Sequence, residues 1–154
     1  MSNNIYLQVK AENEKRMNDL FESTVFFAFN NKQFQEGMEK IGAKHTSELY
    51  KLGNSGGFYK KTDSDKIRQL FADMAKAEDD ALEEYGEEYA YQMFRYELSN
   101  HEFGYTMELD NTLDSVGYDI ETISKNPVLY NGLKKALERY KVTPEYYGIQ
   151  KETA

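Results

Sequence analysis

The longest uninterrupted apolar stretch in this chain is five residues, Val25 to Phe29. A membrane-spanning helix needs about 20, so the sequence offers no candidate span. A core has to be assembled from side chains spaced three and four apart on helices, or two apart on strands. The chain has 154 residues and neither cysteine nor tryptophan. Its core must come from aliphatic side chains, nine phenylalanines and thirteen tyrosines. Disulfides, thiolate metal sites and cysteine nucleophiles are excluded. No basic-then-apolar leader opens the sequence, which makes a cytoplasmic location the expectation.

The periodicity is mostly helical. Residues Ile5 to Phe21 read as a charged helix with a thin stripe of Ile5, Val9, Met17, Leu20 and Phe21. Thr24 to Phe29 is β-branched and aromatic and reads as a short strand. Asn30 or Asn31 caps a helix carrying Phe34, Met38 and Ile41, closed by Gly42. Leu49, Tyr50 and Leu52 read as a short helical turn. The cluster Gly53-Asn54-Ser55-Gly56-Gly57 is a turn leading into a second strand, Phe58 to Lys61. Such a loop can cradle phosphate, but that pattern ends in Gly-Lys-Ser/Thr and here Phe58 follows Gly57. A hairpin loop is the better reading.

A helix then runs from Thr62, Asp63 or Ser64 through Ile67, Leu70, Phe71, Met74, Ala81, Leu82 and Tyr85, broken near Gly86. From Glu87 to Ser99 apolar residues occur on every side, the signature of a central buried helix. Thr106 is read as the cap of a helix through Leu109, Leu113 and Val116 that ends at Gly117. Asp119 opens a short turn, and Asn126-Pro127 starts the last helix. The fold class expected is α+β and predominantly helical: a helical bundle with one small two-stranded β element. The expected organisation is an N-terminal helical arm over 1–22, one globular domain over 23–142 and a mobile tail over 143–154, of which Tyr146, Tyr147 and Ile149 are the residues able to dock. The arm is also a candidate dimerisation element.

Charge is the strongest functional signal. The formal net charge is −8. Between Asp73 and Glu121 there are fifteen acidic residues, opposed only by Lys76 and Arg95, so this stretch carries −13 and the remainder +5. Such a surface repels nucleic-acid phosphates and anionic membranes and attracts a basic protein. The simplest reading of the acidic helix is a solvated face. The sharper one is a partner-binding surface formed by Asp73, Asp79, Asp80, Glu83, Glu84, Glu87 and Glu88. Residues on a helix rise about 1.5 Å each, and duplex DNA carries one charge per about 1.7 Å of axis. The run therefore approaches the charge density of nucleic acid.

Catalytic constellations are scarce. No serine lies in a Gly-x-Ser-x-Gly elbow. Only two histidines occur. Glu97 and His101 lie four apart and share a helical face, within a segment that also holds Asn100, Glu102 and Tyr105. They are either a structural motif ending a buried helix or two ligands of a metal-dependent enzyme. A catalytic zinc site wants three protein ligands, to be completed here by Glu102, Asp110 or His45. The structural reading is preferred, with no cofactor, no metal and no catalysis.

Three segments carry a resemblance: Gly56 to Asp63, Met93 to Thr106 with its Asn-His-Glu-aromatic core, and Leu113 to Gly117. From about Phe26 to Tyr140 the chain resembles an uncharacterised family of small acidic proteins from phages, plasmids and conjugative elements of Firmicutes; residues before Thr24 lie outside it. The resemblance transfers no activity and no site residue. It implies a gene of mobile elements in a bacterial host cell, where small acidic proteins often inhibit host defence, anti-CRISPR proteins among them. Three functions follow as expectations. The first is an anti-defence inhibitor that binds a basic bacterial protein, such as a CRISPR-associated nuclease, through its acidic face. The second is an accessory or regulatory binding protein of phage or plasmid biology. The third is a small metal-dependent enzyme centred on Glu97 and His101.

Overall fold

Local capping chemistry sets several element ends in the computed structural model, which describes residues 4–152. Eight α-helices and a three-stranded antiparallel sheet are found among the described residues, an α+β fold that is predominantly helical. The chain divides into two compact units, one built from residues 4–9 with 78–152 and the other from Lys10–Ala77. Helices α1 (Ile5–Thr24) and α3 (Ser64–Tyr85) each contribute to both.

The second unit holds the sheet. Strands β1 (Val25–Phe27), β2 (Leu49–Leu52) and β3 (Gly57–Lys60) lie in the order β1-β3-β2. Helix α2 (Asn31–Ile41) packs on β1. Its N-terminus is capped by Asn30, whose side chain accepts from the Gln33 amide, and Gly42 closes it at φ 75°. Phe26, Phe34 and Phe58 meet with ring centroids 5.1 to 5.5 Å apart, over Met38 and Ile41. The space above Phe26 exists because residue 37 is glycine: a Cβ there would lie 2.0 Å from the ring.

Leu49 to Leu52, expected as a helical turn, is a strand, and the expected two-stranded element has three strands. The four residues pair along β3, with Tyr50 opposite Tyr59 and Lys51 opposite Phe58. The glycine-rich turn is the reason. Gly53 and Gly56 hold positive φ, and Ser55 Oγ donates to the Leu52 carbonyl at 2.6 Å, so the chain reverses onto itself.

The first unit is built around α4 (Glu87–Asn100), which buries Tyr89, Ala90, Met93, Phe94, Glu97 and Leu98. It packs on α8 (Pro127–Leu137), started by Asn126, whose side chain accepts from the Val128 and Leu129 amides. Short helices α5 (Phe103–Thr106), α6 (Asp110–Val116) and α7 (Ile120–Lys125) complete the unit. Thr106 does not cap α6. Met107 turns the chain at φ 54°, and α6 begins only at Asp110.

Both terminal segments differ from the expectation. Residues Ile5 to Val9 are no free arm: Tyr6 is buried, and Ile5, Leu7 and Val9 pack on the core around α4. Farther along α1, Asn13 is buried and its amide donates to the Met74 carbonyl within the second unit. Residues after Val142, read as a mobile tail, form a 3-10 turn over Pro144–Tyr147 and bury Pro144 and Ile149. Tyr130 donates to the Glu145 carboxylate, Tyr147 Oη to the Met107 carbonyl at 2.8 Å, and the Glu152 amide to the Ser124 carbonyl at 3.0 Å. Residues 1–3 of the expected arm and 153–154 of the expected tail lie outside the described residues.

Two substitutions test these contacts. A Cβ at Gly132 would lie 2.5 Å from the Ala90 side chain and 2.8 Å from its backbone carbon. Overpacking of this kind costs about 1–3 kcal/mol, more than the roughly 1 kcal/mol that alanine gains over glycine in a helix. Gly132→Ala therefore lowers Tm, and a raised Tm would contradict the close approach of α4 and α8. Ile149→Ala removes a fully buried side chain. It is expected to destabilise by about 2–5 kcal/mol in urea unfolding, where an undocked tail would give no change.

Candidate functional site

The charged residues on α3 and α4 follow from their helical phases. At about 100° per residue, Asp80, Glu83 and Glu84 lie opposite the side of α3 that buries Ala81 and half-buries Leu82. Gly86, at φ 56°, separates the two helices. Glu87 and Glu88 then occupy the first turn of α4, where the exposed amides of a helix N-terminus favour carboxylates. Asp79, Asp80, Glu83, Glu84, Glu87 and Glu88 are all exposed and belong to the first unit. Asp73, also exposed, belongs to the second.

Divided by unit, the charge is less uneven than along the sequence, but it keeps its sign. The first unit has seventeen acidic and seven basic residues, net −10; the second has ten and twelve, net +2. Cations bound the acidic run at one end. Lys135 of α8 lies 3.9 Å from Glu88 and 4.3 Å from the centre of the Tyr91 ring, and Arg95 donates to the Tyr91 hydroxyl at 2.6 Å.

A second acidic surface was not singled out from sequence. Asp110, Asp114, Asp119 and Glu121 rim an open notch of about 780 Å³, with Leu113 and Tyr118 in its lining. Ile120 stands there 43% exposed. Lys125 pairs with Glu121 at 2.7 Å. The i,i+4 spacing of Asp110 and Asp114 is the one local signal that could have found it.

The Glu97 segment is a buried polar network. Glu97 is 2% exposed. Tyr6 Oη donates to its Oε2 at 2.5 Å, and Asn100 Nδ2 to its Oε1 at 3.1 Å. Thr112 Oγ1 donates to its backbone carbonyl at 3.4 Å. His101 follows the last residue of α4, its amide bonded to the Glu97 carbonyl at 3.0 Å. Its Nε2 is buried, 3.9 Å from Glu97 Oε1, and has no hydrogen-bond partner among the described residues. Glu102 and Tyr105 point elsewhere: Glu102 is exposed at φ 55°, and Tyr105 is 92% exposed. The five motif residues therefore do not converge. Among the described residues no three His, Asp or Glu side chains could hold a metal ion. Glu102, Asp110 and His45 do not supply the third ligand that the metal reading requires.

The network instead holds the start of α1 against α4. Tyr6 was absent from the sequence reading, because nothing within its own helix announces a partner 91 residues away.

Residues 6–139 match the family model described as Family of unknown function (DUF7659). The chain belongs to that family. The match begins at Tyr6 and so takes in most of α1, which the resemblance read from the sequence left out. No curated protein and no solved structure matches the chain.

Burial raises the phenol of Tyr6 well above its ordinary value, and the hydrogen bond to Glu97 adds to the shift. Burial also raises Tyr89 and Tyr118, helped by Glu78 at Tyr89 and by Asp79 at Tyr118. A phenol whose folded-state pKa lies above its unfolded value of about 10 stabilises the fold fully below that pH. The contribution is lost as pH rises through the folded value. Stability measured by urea unfolding should therefore fall as pH is raised from 9 to beyond about 10. Tyr6→Phe should flatten this fall and, at neutral pH, cost about 1–3 kcal/mol by leaving a buried carboxylate short of a donor. Identical alkaline profiles for wild type and variant would contradict the Tyr6–Glu97 bond.

Proposed function

We propose that this protein is a non-enzymatic inhibitor that binds a cationic groove through the carboxylates of α3 and α4, in place of nucleic acid. The observation that carries this reading is that Asp79, Asp80, Glu83, Glu84, Glu87 and Glu88 are all exposed within a unit of net −10. A field of that sign accelerates encounter with a basic partner and weakens with salt. The partner of first choice is a bacterial nuclease. Its basic channel binds a phosphate backbone, whose linear charge the helical run approaches. The resemblance to proteins of phages and plasmids favours a defence nuclease, and the CRISPR nucleases of Firmicutes are the first to test.

The experiment is a DNA-cleavage assay with those nucleases at low and high salt, beside direct binding. Wild type is expected to slow cleavage and to bind in a salt-sensitive manner. Exposed ion pairs are worth about 0.2–1 kcal/mol each. The triple variant Asp80→Lys, Glu83→Lys, Glu84→Lys should thus lose about three- to a hundredfold in affinity while staying folded. Unimpaired cleavage throughout, or equal inhibition by the variant, would refute the acidic-face mechanism.

A further inference from the structure

Strand β1 is an edge of the sheet in the second unit. Along an antiparallel ladder, peptide groups point alternately toward the neighbouring strand and away from it. The Ala28 amide donates to the Gly56 carbonyl at 3.0 Å, which fixes that alternation. Phe26 and Ala28 turn inward to β3, so Val25 and Phe27 turn outward. Helix α2 answers the groups on either side of Phe27. Lys40 Nζ donates to the Val25 carbonyl at 3.2 Å, and Gln33 Oε1 accepts from the Phe29 amide at 2.8 Å. The Phe27 amide and carbonyl fall between these two contacts and have no hydrogen-bond partner among the described residues.

An open groove of about 510 Å³ lies along this edge, walled by the last turns of α1 and by α2. Phe27 faces the α1 wall, its ring 6.4 Å from Phe21, and Phe26 faces the α2 wall against Gly37. Phe27 is 47% exposed and Phe29 78%. An unpaired peptide group between exposed aromatic rings is what an added β-strand covers. Charge narrows the occupant. Among the lining residues Glu22 and Glu36 oppose the one cation, Lys40, whose ammonium is engaged by the Val25 carbonyl. The groove is therefore net negative. A second copy would set these carboxylates against their own kind, and a chain of −8 against another of −8.

We propose that β1 is a docking strand for a short extended segment of a partner protein, with an apolar residue opposite Phe27 and lysine or arginine on either side of it. In an antiparallel added strand the residue opposite Phe27 turns toward Phe21, and its neighbours turn toward α2 and Glu36. The two backbone bonds to Phe27 fix the register. Gln33 and Lys40 close off the peptide groups beyond it, so the segment is short and side chains supply its specificity. The inference concerns the other unit and does not depend on the acidic face of α3 and α4.

The test follows the Phe27 backbone amide of the isotopically labelled full chain by NMR. The probe is the peptide acetyl-Lys-Lys-Val-Lys-Lys-amide at millimolar concentration. Its controls are the same peptide N-methylated at valine and the acidic acetyl-Glu-Glu-Val-Glu-Glu-amide. The basic peptide is expected to shift the Phe27 amide saturably, and both controls to leave it unchanged. The double variant Glu22→Gln, Glu36→Gln, checked for unchanged Tm, should weaken binding of the basic peptide about two- to thirtyfold, as for two exposed ion pairs. No saturable shift with the basic peptide overturns the proposal. An equal shift with the N-methylated peptide overturns the strand pairing, and an equal shift with the acidic one, or undiminished binding by the variant, overturns the basic occupant. A Phe27 shift that follows protein concentration without peptide gives the edge to a second copy and overturns the partner strand.

Discussion

A carboxylate with 2% exposure has to be answered from within the protein, and the answer at Glu97 organises the first unit. Tyr6 and Asn100 supply its donors. The Tyr6 bond ties the opening turn of α1 to the helix at the centre of the core. Around that tie the apolar residues of α4 pack on α8, with Gly132 admitting Ala90 at close range. Leaving such a charge without partners costs far more than an average hydrogen bond gains. The network therefore acts together with the hydrophobic contacts of Ile5, Leu7 and Val9 in fixing which part of α1 meets α4.

The same unit concentrates the negative charge outside its core. Carboxylates on α3 from Glu78 onward, on the first turn of α4 and around the notch beside α6 all belong to it. Each is tolerated locally, either by solvent or by a helix N-terminus. Their mutual repulsion is a cost to the compact state, and the same net charge favours solubility. Lys135, Arg95 and Tyr91 mark where that surface changes character.

What could be read in the sequence was what local chemistry decides. Asn30, Asp119 and Asn126 announced helix starts, and each accepts from amides two or three residues on. Gly42 and Gly117 announced helix ends and hold the left-handed conformation expected of them. The exposure of the acidic run followed from charge alone. The misreadings were non-local. Leu49 to Leu52 has no decisive period, and only pairing with β3 makes it a strand. Ile149 was legible as a residue able to dock, but its place in a core assembled from helices earlier in the chain was not. The notch at Asp110, Asp114, Asp119 and Glu121 needs two helices to bring its rim together. Glu97 and His101 were correctly placed on one face, but no spacing rule could supply a third ligand or reveal Tyr6.

The division of the chain carries a consequence for the order in which it can fold. Residues Lys10–Ala77 are contiguous, so their unit is complete once that stretch has left the ribosome. The other unit is discontinuous: its first strip precedes the sheet, and its body follows it. Tyr6 emerges 91 residues ahead of the carboxylate that receives its proton. At roughly 5–20 residues per second, the apolar face of Ile5, Leu7 and Val9 stands uncovered for several seconds during each round of synthesis. For that interval a nascent chain carries a short apolar stretch that is covered only when α4 arrives.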